Sequence, residues 1–274
     1  MKHARLTPLL CAAGLLLAAQ TLHAAEDACT AQVESAIKRA YPAAKRADRG
    51  YKVGDARIQL SEAFSPHAVV CRTWPAHPEL TLMAVPLMQQ EDADAGTNEG
   101  DLELFVLDTG NGSIRQRLRL PARMSDDAVR IRSVTFDTAR YVLAPGQRAF
   151  GVRIVKEGSS RPNPFNETDL WLYTVQGNQL KPVLNGVVVE SGGGEWDTNC
   201  AGAFEQTKRT LNMASDTHNG YADIAVSETK SASTNTVDKA GECQTHDVKP
   251  QRTTYRLAYD GKQYVVPKAL MPLD

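Results

Sequence analysis

From residue 56 onward the chain is cut into short runs rich in β-branched and aromatic residues, each closed within a few positions by Gly, Pro, Asn or Asp. Runs this short cannot hold a helix, and turn residues at nearly every interval return the chain on itself. The pattern therefore predicts antiparallel sheets built from hairpins. Leu102–Leu107 and Ile114–Leu120 flank Asp108-Thr109-Gly110-Asn111-Gly112-Ser113, a connection full of residues that tolerate positive φ. The same design returns as Leu170–Val175 with Leu180–Leu184 around Gln176-Gly177-Asn178-Gln179, and as Tyr255–Tyr259 with Gln263–Val266 around Asp260-Gly261-Lys262. Arg57–Leu60, Ala68–Trp74, Glu79–Leu87, Val129–Phe136, Arg140–Leu143, Arg148–Val155, Phe204–Met213 and Tyr221–Thr229 are further strand candidates. The expected fold is mainly β and sandwich-like. An irregular propeller stands second, because the hairpins lack a constant period.

One helix is expected. Asp27 can cap it, Cys29, Val33, Ile37 and Tyr41 recur at four-residue intervals, and Pro42 stops it. Ahead of it, Lys2, His3 and Arg5 precede an apolar run from Leu9 to Ala19 and the small pair Ala24-Ala25, the three-part layout of a cleavable secretory signal. The run is short for a bilayer span, and no second run of spanning length follows, so no transmembrane anchor is expected in the mature chain. A lipid anchor on Cys11 is the alternative. Residues 25–274 are read as a single β-rich domain of the periplasm, or of the outside medium.

Residues 1–24 hold two of the 31 basic side chains and none of the 32 acidic ones, so the mature net charge is −3. That balance argues against nucleic acid as a partner. Four cysteines remain, Cys29, Cys71, Cys200 and Cys243. An even number in an oxidising compartment points to two disulfides. Of the three pairings, Cys29 with Cys71 and Cys200 with Cys243 would staple one end of the chain each. The polar stretch Ser231–Thr236 between the last two is expected to be an exposed loop.

Asn219-Gly220-Tyr221-Ala222-Asp223-Ile224-Ala225-Val226 resembles the core of an FG-GAP repeat, whose Asp-rich loop binds calcium and leads into a propeller strand. The alternating ligand positions of that loop fall here on Ser215, Thr217 and Asn219, and Asn219 and the later Asp223 fit them. Leu104-Phe105-Val106-Leu107-Asp108-Thr109-Gly110 is similar to the strand and turn of secreted propeller blades.

Three segments are candidate sites. The acidic stretch Glu91–Asp101 offers calcium oxygen ligands, Asp92, Asp94 and Asn98 among them, without EF-hand spacing; its bland reading is a solvated loop. Gly158–Glu167 presents Arg161, suited to a carboxylate, and Phe165, suited to a partner's pocket. Ser191-Gly192-Gly193-Gly194-Glu195-Trp196-Asp197 lets another chain approach closely with Trp196 as anchor, or is simply a mobile surface loop. His67, His77, His218 and His246 show no metal-ligand spacing, and neither a nucleophile elbow nor a phosphate loop occurs. The expectation is a non-catalytic protein that recognises another protein through exposed loops, with an inhibitor or immunity protein as the narrower reading, and with no cofactor unless calcium. A hydrolase of envelope material and a structural accessory of an envelope complex are the alternatives.

Overall fold

A computed structural model describes residues 29, 31–60, 65–89 and 97–273. The signal-like segment and the calcium candidates Asp92 and Asp94 lie outside the described residues. Helix α1 covers residues 31–40. The smaller strands follow as β1 (Lys45–Ala47), β2 (Gly50–Val53), β3 (Ala56–Gln59), β4 (Val70–Trp74), β5 (His77–Met88), β6 (Asn98–Asp108) and β7 (Ile114–Asp126). They form one seven-stranded sheet in the order β1-β2-β3-β5-β6-β7, with β4 also paired to β5. The second sheet is a seven-stranded meander of β8 (Val129–Ala144), β9 (Gln147–Gly158), β10 (Phe165–Gln176), β11 (Gln179–Trp196), β12 (Gly202–His218), β13 (Tyr221–Val237) and β14 (Cys243–Leu257). A 3-10 turn at Lys268–Leu270 follows. The mainly β, sandwich-like reading holds, and two sheets of sequential neighbours leave no propeller.

Strand periodicity explains the layers. In β5, Leu82 and Ala84 face the second sheet, where Phe136, Phe150, Val152, Ile154, Trp171 and Tyr173 complete the central core. The alternate residues Met83, Val85 and Leu87 face α1 and pack on Val33, Ala36, Ile37 and Tyr41. A strand buried on both faces reads as an unbroken apolar run, as Leu82–Met88 does. A third cluster covers the far face of the second sheet, where Leu170, Leu172, Val187 and Ile224 lie under Tyr259, Tyr264, Val266 and Leu270 of the C-terminal segment. Cys29 is bonded to Cys71, tying α1 to β4, and Cys200 to Cys243, tying the start of β12 to the start of β14.

Turn chemistry sets the register. Asn219 and Gly220, at φ 47° and 85°, close β12 onto β13 as a two-residue turn with His218 opposite Tyr221. The segment that resembles a calcium-loop repeat is therefore a hairpin tip, and Asp223 is taken up by His218 at 2.7 Å and Arg256 at 3.5 Å. Pro145-Gly146 also closes β8 onto β9 as a two-residue turn, but there only Gly146 takes positive φ, at 73°. The expected hairpin at 255–266 is reduced to one bridge between Tyr259 and Tyr264, because β14 ends at Leu257.

Two expectations are corrected. Ser231–Thr236 is not a loop but the middle and end of β13, and Gly192–Gly194 lies within β11. Both stretches are weak strand formers alone, but each is paired on both sides, so the ladder bonds decide the conformation.

Phe150 is fully buried, with ring centroids 5.3 Å from Trp74, 5.9 Å from Phe136 and 5.9 Å from Tyr173. Phe150→Ala is expected to cost about 3–5 kcal/mol in chemical denaturation with an unchanged m-value. A loss below about 1 kcal/mol would show that the aromatic cluster does not hold the sheets together.

Candidate functional site

The end of the second sheet gathers the residues singled out in the sequence. The loop 159–164 folds back on β11: the Trp196 amide donates to Pro162 O at 3.0 Å and the Gly194 amide to Pro164 O at 3.2 Å. Trp196 Nε1 donates to Arg161 O at 2.6 Å. Arg161 and Trp196 are thus neighbours, and among the described residues the Arg161 guanidinium has no hydrogen-bond or ion-pair partner. Phe165 is separated from them. It pairs with Gly193, whereas Trp196 pairs with Gly202, and the odd spacing between Gly193 and Trp196 along β11 puts Phe165 and Trp196 on opposite faces. Phe165 and Trp196 therefore belong to two separate surfaces.

On the Phe165 face a shallow groove of about 510 Å³ runs over Ser191–Glu195 and on to Ala203, Glu205 and Thr207. Register places Phe165, Gly193 and Glu205 in one row and Glu195 beside Ala203 in the next. Glu195 and Glu205 are exposed and carry no ion pair among the described residues. The glycines differ in why they are there. A Cβ at Gly194 would come 2.6 Å from Ala203 O, and one at Gly202 would come 2.4 Å from Trp196 Cβ, so packing demands glycine at both. At Gly193 a Cβ would meet nothing closer than Pro164 O at 3.6 Å, and its φ is not positive. Neither sterics nor backbone geometry requires glycine there, although glycine within a strand costs about 0.5–1 kcal/mol. An uncovered strand glycine is a common mark of close approach by another chain.

The chain matches no family model, no curated protein and no solved structure. The geometry alone has to carry the functional reading.

Phe165 also borders a second cavity, of about 530 Å³, between β7, β10 and the C-terminal segment. Glu167 and Asp169 stand two apart on β10 and so share a face, and Glu167 pairs directly with Lys156 of β9. Lys156 Nζ is 2.8 Å from Asp169 and 3.7 Å from Glu167. Arg123 lies 4.5 Å over the Trp171 ring. Just before it, Ala122 is held at φ 51° with its amide donating to Asp101 Oδ1 at 2.9 Å. Burial, and then the charge of Asp169, push the Glu167 carboxyl up to about 7. Burial raises Asp169 too, against the opposing pull of Lys156. This cluster went unnoticed in the sequence; the alternation Glu167, Asp169, Trp171 on one strand was the available signal.

The calcium candidates are not assembled by the described chain. Asn98 begins β6 opposite Asp126 rather than sitting in a loop, and it is nearly buried. Among the described residues no group of three or more His, Cys, Asp or Glu could hold a metal ion, and no helix is long and apolar enough to cross a membrane.

The raised Glu167 value carries a sign. With 7 folded against 4.5 unfolded, the folded state holds the extra proton between these values. The contribution is complete below pH 4.5 and is lost as pH rises through 7. Melting temperature is expected to fall from about pH 5 to about pH 8, and Glu167→Gln should flatten the slope by on the order of 1–3 kcal/mol. Parallel wild-type and variant profiles over this range would contradict a buried, proton-holding Glu167.

Proposed function

We propose that this is a non-catalytic binding protein of an oxidising compartment, most simply the periplasm, and that it docks another protein on the end of the second sheet formed by loop 159–164 and the start of β12 with its neighbours. The observation that carries this reading is Gly193: an open floor in a doubly paired strand, bordered by Phe165 and by two unpaired carboxylates, where the fold itself has no use for glycine. The unengaged Arg161 beside Trp196 supports a second contact on the opposite face. Rigidity supports it as well, since backbone pairing on both sides and the Cys200–Cys243 bond leave little conformational entropy to lose on docking. An inhibitor or immunity protein would fit such a platform. The two disulfides agree with an oxidising compartment.

A second reading, a hydrolase acting on envelope material, draws on the perturbed Glu167–Asp169 pair. It is the weaker one, because Asp169 is wholly buried and Lys156 is already in contact with both carboxylates.

The test places a photo-crosslinking side chain singly at Arg161, Glu195, Glu205 and, at the other end of β11, Lys181 in the mature protein, and irradiates it in its native envelope extract. One and the same protein is expected to crosslink from the first three positions and not from Lys181. Crosslinking to that partner from Lys181 alone, or unrelated adducts at every position, would overturn the assignment.

A further inference from the structure

We infer that the cavity between β7, β10 and the C-terminal segment is a binding site for an organic cation, an ammonium or guanidinium group carried on an apolar body. The inference does not depend on the docking surface, and nothing in it uses Arg161, Trp196 or the glycine floor.

Charge is the first ground. Glu167 from β10 and Asp127 from the turn between β7 and β8 line the cavity, and Asp169 is buried behind it against Lys156, so the cluster sets three carboxylates against two cations, Lys156 from β9 and Arg123 from β7. Arg123 is stacked on the face of Trp171, and Lys156 sits closer to Asp169 than to Glu167. Glu167, which is only 4% exposed and lines the cavity, is left with long contacts: Lys156 Nζ at 3.7 Å and the Leu273 amide at 3.4 Å. A buried carboxylate without a close donor is costly, and a charged donor entering the cavity would satisfy it where the field is poorly screened.

Shape is the second ground. The space of about 530 Å³ lies within the range of small-ligand pockets. Apart from the charged groups its walls are largely apolar, with Val129, Phe165, Met271 and Leu273 among them. Met271 and Leu273 remain 49% and 65% exposed, which leaves apolar surface for a ligand's body to cover. An anion would face the Glu167 and Asp127 carboxylates, and a neutral ligand would leave Glu167 on its long contacts alone. The proton held by Glu167 gives the site a signature: binding a cation should release it.

The test is calorimetry on the disulfide-bonded mature protein near neutral pH with pentylamine, pentylguanidine and, as the neutral isostere, pentan-1-ol. Nα-acetyl-lysine methylamide separates a free amine from a basic side chain of a protein as the natural source. Pentylamine or pentylguanidine is expected to saturate one site at least about tenfold more tightly than pentan-1-ol. Its apparent heat should change with the ionisation heat of the buffer, and its affinity should fall several-fold from about pH 8 to about pH 5.5, as Glu167 takes up a proton. Glu167→Gln should weaken binding about tenfold. Asn185→Trp, which fills the cavity from an exposed position and removes no charge, should abolish it even if the first variant folds poorly. Binding of the lysine derivative would assign the site to a protein side chain, and its exclusion while pentylamine binds would assign it to a free amine. Equal affinity for pentan-1-ol, undiminished binding in Asn185→Trp, or no saturable binding of either cation would overturn the inference.

Discussion

The backbone ladder joining β11 to β14 has to hold over a long stretch with little core beneath it, because the buried apolar residues of β12, β13 and β14 stop near Leu211, Val226 and Tyr255. Past those positions the strands run on for a further 9 to 12 residues, and apart from the buried Arg209–Glu228 ion pair their side chains are exposed or half-buried. Interior pairing satisfies the amides and carbonyls of β11, β12 and β13. Of these four strands β14 is the edge, and it is guarded by Lys249, Pro250 and Arg252, with the register shift opposite Lys230–Ala232 breaking its regularity. The Cys200–Cys243 bond closes this coreless end. By chain entropy a crosslink over 43 residues contributes about 4 kcal/mol, which is large where apolar burial adds almost nothing.

That same arrangement explains what could be read from the amino-acid order. Where burial decides structure, the order shows it: Val33, Ile37 and Tyr41 mark the helix face, and the unbroken apolar runs of β5 and β6 mark strands covered on both sides. Where pairing alone decides, the order misleads. Ser231–Thr236 has the composition of a loop, and Gly192–Gly194 that of a flexible link, because neither needs apolar side chains to stay in a ladder with two neighbours. The Asn219-Gly220 pair was legible as a turn for a local reason, its positive φ, but the same local signal suggested a calcium loop where the register places a hairpin tip.

The candidate sites were legible only as residue types. Arg161, Phe165 and Trp196 do converge on one end of the sheet, yet strand parity sends Phe165 to the face opposite Trp196, and parity along β11 depends on a strand that the three glycines concealed. Glu167, Asp169 and Lys156 escaped notice for another reason. Their meaning comes from burial and from a cross-strand pairing with β9, and neither is visible along the chain.

Phe165 is the one side chain that borders both the groove and the cation cavity. It sits at the start of β10, between Pro164, whose carbonyl accepts from Gly194, and the Glu167–Lys156 pair two residues on. A body lying on the Gly193 floor would press on this ring from one side, and the apolar part of a cation in the cavity would press on it from the other. The ring has few rotamers open to it, so it cannot yield to both without moving the strand end. Two occupants would therefore compete for, or cooperate through, the position of one aromatic ring. Any coupling between them is limited to what that ring's placements differ by in free energy.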